Sequence, residues 1–146
     1  MCGWKMTIKH LSIARHVTYR SAPPVSGKLR DAKVFILTDI PFEITPSAVK
    51  ASLDAGEPLR LIDVREPAEY GLAKIDGAEL IPMRSMPQHL QHLEDTEVRL
   101  IVFCHHGIRS LSVVEWLRRQ GVENCQSMSG GIDLWSCEID PAVPRY

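Results

Sequence analysis

The stretch Leu100-Ile101-Val102-Phe103-Cys104-His105-His106-Gly107-Ile108-Arg109-Ser110 decides the fold. Four apolar residues in a row, two β-branched and one aromatic, predict a strand over Leu100–Phe103 that is buried on both faces. A polar loop follows, and Gly107 lets it turn tightly. Next comes a predicted helix over Ser110–Gln120, with Leu111, Val114 and Leu117 at helical spacing and Gly121 to close it. A strand, a short loop and a helix in that order are the start of a parallel crossover unit.

The same alternation continues on both sides. Upstream, Phe42–Ile44 reads as a short strand. Thr45 caps a helix that Pro46 opens, Val49 and Leu53 share one face of it, and Gly56 ends it. Leu59–Val64 reads as a buried strand, Pro67–Tyr70 as a helical turn, Ala78–Ile81 as a strand stopped by Pro82, and Ser85–Leu93 as a helix. Downstream, Asn124–Met128 is the last strand, and Gly130-Gly131 turns into a short helix at Ile132–Ser136. The expected fold class is α/β, a three-layer domain with a mainly parallel central sheet flanked by helices. Ligands of such sheets bind outside the carboxyl ends of the strands, which directs attention to the ends of Leu59–Val64 and Leu100–Phe103.

The bulk composition fits this picture. A chain of 146 residues with 45% apolar and 24% charged residues is that of one globular domain. No apolar run approaches the length of a membrane span. Residues 1–30 hold six of the 17 Lys and Arg and none of the 18 acids, which leaves the body at −7. An acidic body disfavours nucleic acid as a partner, because that binding rests on phosphate neutralisation. Residues 1–41 read as a loosely ordered N-terminal extension, with Val34–Leu37 as a candidate edge strand, and 42–146 as the folded domain. Four cysteines without a secretory signal fit a reduced compartment, the cytoplasm, or an organelle matrix if basic residues 1–30 form a transit segment.

The chemistry is expected at Cys104. A strand delivers it to its carboxyl end, a loop follows, and a helix begins within a few residues. Loop amides form an anion nest, and the helix N-terminus adds partial positive charge. Both favour a thiolate. Four residues separate Cys104 from Arg109. Cys-dependent phosphatases use five to cradle a tetrahedral phosphate, and the narrower ring suits a single sulfur bonded to Cys104.

The loop Cys104-His105-His106-Gly107-Ile108-Arg109-Ser110 resembles the active-site loop of the rhodanese family. Three further segments agree in order. Leu61–Tyr70 resembles the family's N-terminal signature. Ile75-Asp76-Gly77-Ala78 with Ile81-Pro82 resembles its second, although Ala73-Lys74 stand where Gly-His is usual. Ser129–Trp135 with the closing Pro144-Arg145-Tyr146 resembles its C-terminal signature. The resemblance covers about residues 42–146. It implies sulfur transfer through a Cys104 persulfide held by the amides of His105, His106, Gly107, Ile108 and Arg109. It further implies no metal and no organic cofactor, a small sulfur donor such as thiosulfate, and a thiol, cyanide or protein-thiol acceptor. Some thiosulfate-specific members carry Arg directly after the Cys, where this chain has His105.

Other readings stand beside these. The chain could be a non-catalytic binding module of the same fold, or a Cys-dependent phosphatase or arsenate reductase, which the loop length disfavours. His105 and His106 line the mouth, since consecutive residues rarely converge on one ion. Arg109 serves either the substrate or the fold. Asp63 and Arg65 support the site from the neighbouring strand end, with Arg65 and Glu69 placed to pair at i, i+4. Trp116 and Trp135 are expected in the core, and Cys125 and Cys137 as buried, inert thiols.

Overall fold

The computed structural model describes residues 40–146, so residues 1–39, including the candidate strand Val34–Leu37, lie outside the described part. Five parallel strands form one sheet. They are β1 (Glu43–Ile44), β2 (Leu59–Asp63), β3 (Glu79–Leu80), β4 (Arg99–Phe103) and β5 (Cys125–Met128), in the order β1-β5-β4-β2-β3. The helices are α1 (Pro46–Asp54), α2 (Pro67–Leu72), α3 (Met86–Glu94), α4 (Ile108–Arg119) and α5 (Gly131–Glu138), with a 3-10 turn at Met83–Ser85. The expected α/β architecture is the observed one.

β4 lies at the centre, hydrogen-bonded to β2 on one side and β5 on the other. Its side chains alternate between two cores. Leu100 and Val102 join Ile62, Met86, Leu93, Val113, Val114 and Leu117 under α3 and α4. Ile101 and Phe103 join Val49, Met128, Ile132 and Trp135 under α1 and α5. Leu100, Ile101, Val102 and Phe103 are fully buried, and burial of each side chain contributes roughly 1.5–3 kcal/mol. The alternation also aims the next residue. Cys104 follows the parity of Leu100 and Val102, so its side chain emerges on the α4 face, beside that helix's first turn.

Local signals explain most boundaries. The Thr45 hydroxyl accepts from the Ala48 amide and Pro46 takes the first helical position, as expected for α1. Leu53 shares the face of Val49, one turn on, but not its burial. Val49 is buried, but α1 ends just beyond Leu53, which is left largely in solvent. Trp135 is buried in the second core, whereas Trp116 is only half-buried at the edge of the first. Cys137 corrects an expectation. α5 turns Ile132, Trp135 and Ser136 inward, which leaves Cys137 on the outer face, exposed. Cys125 is buried in β5, as expected, and burial pushes its thiol pKa up.

Candidate active site

The Cys104 loop begins where β4 ends. Helix α4 starts at Ile108, two residues before the expected Ser110, and Gly107 caps it at φ 98°. Glycine adopts that conformation without strain, and a β-carbon there would press on the Gly130 backbone nitrogen at 3.1 Å. The reversal brings the Gly107 N–H to 3.2 Å from Cys104 Sγ. Ser110 is therefore inside the first turn of α4 rather than ahead of it. Its hydroxyl lies 3.0 Å from the Gly107 carbonyl, 2.9 Å from Ser127 Oγ and 3.6 Å from Cys104 Sγ. Both serines are fully buried, and together they form a polar floor under the sulfur.

A second segment holds the loop from outside. The Ile132 amide donates to the Cys104 carbonyl at 2.9 Å, and the Asp133 amide to the His105 carbonyl at 3.1 Å. The first turn of α5 thus satisfies two carbonyls of the loop. Sequence reading assigned no role to Gly131, Ile132 or Asp133. The Gly130-Gly131 pair was the available signal, since two consecutive glycines at a helix start mark a close approach of backbones.

The charged residues sort into pairs. Arg65 and Asp63 are both fully buried, at 2.6 and 2.9 Å. Arg65 also donates to the carbonyls of Ala73 and Glu69 and to Tyr146 Oη at 2.7 Å. Every part of this guanidinium is engaged, so it acts as a structural rivet. The expected Arg65–Glu69 side-chain pair does not form, because Asp63 on the same strand end is nearer. The Glu69 carboxylate instead crosses to Arg109, which grips it with two bonds of 2.6 and 2.8 Å. Of the two roles open to Arg109, this geometry supplies the structural one.

The Arg109 hydrogen bonds hold the Glu69 carboxyl at about 2, well below its usual value. A carboxylate with a lowered native pKa stabilises the fold above its unfolded value of about 4.3, and the contribution is lost as pH falls toward 2. Glu69→Gln should therefore show a shallower loss of stability between these pH values than the wild type. Urea melts across that range measure this directly, and parallel curves would contradict the assignment.

The rim is aromatic. His105 stacks on His106 at 3.9 Å and on Tyr146 at 4.3 Å. Arg145 binds the Asp133 carboxylate at 2.8 and 3.1 Å, and that carboxylate lies 4.0 Å from His106 Nε2. Nitrogen and oxygen atoms of His105, His106 and Asp133 fall within 4.8 Å of one another. Stacked imidazoles direct their in-plane lone pairs side by side rather than toward one point, and Arg145 already occupies both carboxylate oxygens. The donor set fits a rim better than a metal cage. Ile108, 78% exposed, adds an apolar side to the mouth, whereas Cys104 itself is only 2% exposed.

The residues predicted from sequence thus gather at one sheet edge. Cys104, His105, His106, Gly107, Ile108 and Arg109 form the loop and the first turn of α4, and Asp63 and Arg65 pair with each other at the end of neighbouring β2. Comparison with known proteins points the same way. The rhodanese-like domain profile matches residues 45–138. YtwF of Bacillus subtilis, provisionally named a sulfurtransferase, is 34% identical over 99 residues, covering 68% of this chain and 94% of its own length. The adenylyltransferase and sulfurtransferase MOCS3-2 of Zea mays is 32% identical over 109 residues. That alignment takes in 70% of this chain but 23% of the maize protein, so the chain spans about a quarter of such longer relatives. Among solved structures, SSP1007 of Staphylococcus saprophyticus superposes with a TM-score of 0.61 at 32% identity, covering 70% of this chain and 98% of its own. Sharing motif order, fold and nearly the whole span of YtwF and SSP1007, this chain belongs to the rhodanese-like domain family.

Proposed function

We propose that the chain is a sulfurtransferase in which Cys104 carries sulfur as a persulfide, taken from thiosulfate or a similar sulfane donor. The acceptor is thiophilic: cyanide, a small thiol or a protein thiol. One observation supports this reading above the others. The Gly107 amide already donates to Sγ, and the amides of His105, His106, Ile108, Arg109 and Ser110 have no acceptor among the described residues. The Gly107 donor and these free amides, next to a sulfur at a strand end and at the N-terminus of α4, suit a terminal sulfur anion.

The chemistry follows in two steps. The Cys104 thiolate attacks the outer sulfur of thiosulfate, the S–S bond of the donor breaks, and sulfite leaves with the electron pair. The acceptor then attacks the terminal sulfur of the persulfide, and the Cys104 thiolate is restored. This is covalent catalysis divided into two easier displacements, with no net redox change and no cofactor. We assign residues 42–146 to the catalytic domain and residues 1–41 to an extension. Free Cys104, Cys125 and Cys137 suit a reducing compartment such as the cytoplasm. No helix among the described residues is long and apolar enough to cross a membrane.

A paired assay tests the reaction class. Wild-type protein should turn over thiosulfate with cyanide and leave aryl phosphates intact, because the four-residue spacing from Cys104 to Arg109 is too tight for three phosphoryl oxygens. Arg109, committed to Glu69, is also withdrawn from phosphate binding. Phosphate ester hydrolysis without sulfur transfer would overturn the proposal.

A further inference from the structure

Tyr146 stands outside the nucleophile loop yet touches it more intimately than any other aromatic residue. Its ring lies nearly parallel to the His105 imidazole, at 4.3 Å and 12°. Its hydroxyl is fixed at the other end. Arg65 donates to it at 2.7 Å, and it donates in turn to Glu69 at 3.2 Å. Arg65 is the fully buried rivet of the β2 end, and Glu69 is the partner of Arg109. A single phenol therefore links a fully buried charged pair to the first residue after the nucleophile, and it also touches the carboxylate that holds Arg109.

We propose that Tyr146 is a positioning residue for sulfur transfer, which holds His105 and with it the backbone of the Cys104 loop in the arrangement that receives the transferred sulfur. The proposal rests on the reading of Cys104 as the sulfur carrier. The route of the effect is physical and short. His105 supplies one of the loop amides, and its carbonyl is already held by Asp133 from the other side. With the ring clamped by Tyr146 and the carbonyl by α5, rotation of the 105–106 peptide is blocked. Release of the ring leaves one clamp only, and His105 and His106 can turn together as a stacked pair. Transfer chemistry is sensitive to such slips, since a misplacement of about an ångström can cost up to 100-fold in rate.

Titration of His105 gives an independent view of the stack. The ring faces His106, Asp133, Glu69 and Arg65, and its pKa is lowered chiefly by burial and then by His106. Tyr146 supplies part of that cover, so its removal should let the His105 pKa rise toward the ordinary histidine value of about 6.5.

The test compares Tyr146→Ala and Tyr146→Phe with the wild type. Uptake of sulfur by Cys104 from thiosulfate is timed by intact mass, and the His105 imidazole is titrated by NMR. Tyr146→Ala should slow uptake roughly 10- to 100-fold and raise the His105 midpoint. Tyr146→Phe keeps the stacked ring, and should recover most of the lost rate and the wild-type midpoint. A Tyr146→Ala protein with the wild-type rate would overturn the proposal. So would a slow Tyr146→Ala protein with an unchanged His105 midpoint, since that would be general loosening rather than release of the stack. A wild-type protein that gains no sulfur would instead overturn the carrier role of Cys104, and this inference with it.

Discussion

Cys104→Ser protein is expected to fold like the wild type and to transfer no sulfur. The site is 2% exposed, so the substitution changes little at the surface. A hydroxyl fits where the thiol was and still meets the Gly107 amide and the Ser110 hydroxyl that surround it. The loss of one small apolar contact should cost about 1.5 kcal/mol or less. Activity behaves differently, because a serine oxygen forms no persulfide and the loop holds no second thiol to carry one. Turnover with thiosulfate and cyanide should fall to the rate without enzyme. Cys125→Ser and exposed Cys137→Ser should both remain active. A Cys104→Ser protein with a wild-type melting curve and measurable turnover would place the chemistry elsewhere.

Gly131→Ala should damage fold and site together. Gly131 sits at φ +58°, a conformation that L side chains rarely adopt. A β-carbon there would overlap the carbonyl oxygens of Cys104 and His105, which are backbone atoms with no room to move aside. Backbone strain of this kind costs roughly 1–3 kcal/mol, and the steric overlap adds to it. To relieve the clash, α5 must retreat from the loop, and the Ile132 and Asp133 hydrogen bonds to those carbonyls must lengthen. The expected result is a destabilisation of roughly 2–5 kcal/mol and slower sulfur transfer in the fraction that remains folded. Denaturant melts and turnover on the same sample measure both. Wild-type stability would mean that the two segments are not in contact.

The fold was legible because its central strand carries no ambiguity. Leu100–Phe103 is apolar at every position, short, and rich in β-branched and aromatic residues, as a strand buried on both faces requires. The strand ends moved by a residue or so, which backbone hydrogen bonding decides and side-chain type does not. The start of α4 was misplaced for an instructive reason. The apolar spacing that marks the helix begins only at Leu111, whereas the cap is Gly107, which has no side chain to announce itself. The Ser110 hydroxyl serves the sulfur pocket.

The site was legible where it is contiguous and hidden where it is not. Cys104 to Arg109 are neighbours in sequence, and their juxtaposition follows from the strand–loop–helix setting. The Glu69–Arg109 grip spans 40 positions, and the contact of Tyr146 with Arg65 spans 81. No spacing rule reaches that far. The i, i+4 rule misdirected Arg65 toward Glu69, because it assumes a helix through both residues, and α2 begins only at Pro67. Cys137 was misread as buried because cysteine is usually inside, and the helical phase of Ile132, Trp135 and Ser136 sets it outside.

The central claim is that Cys104 holds a transferable sulfur, and intact mass spectrometry tests it most directly. Wild-type protein is incubated with thiosulfate, freed of excess reagent, and weighed before and after addition of cyanide. The account predicts a gain of one sulfur atom, located by peptide mapping to Cys104, lost on addition of cyanide, and absent from Cys104→Ser. A wild-type protein that gains no mass, or one whose added sulfur maps to Cys125 or Cys137, would contradict it.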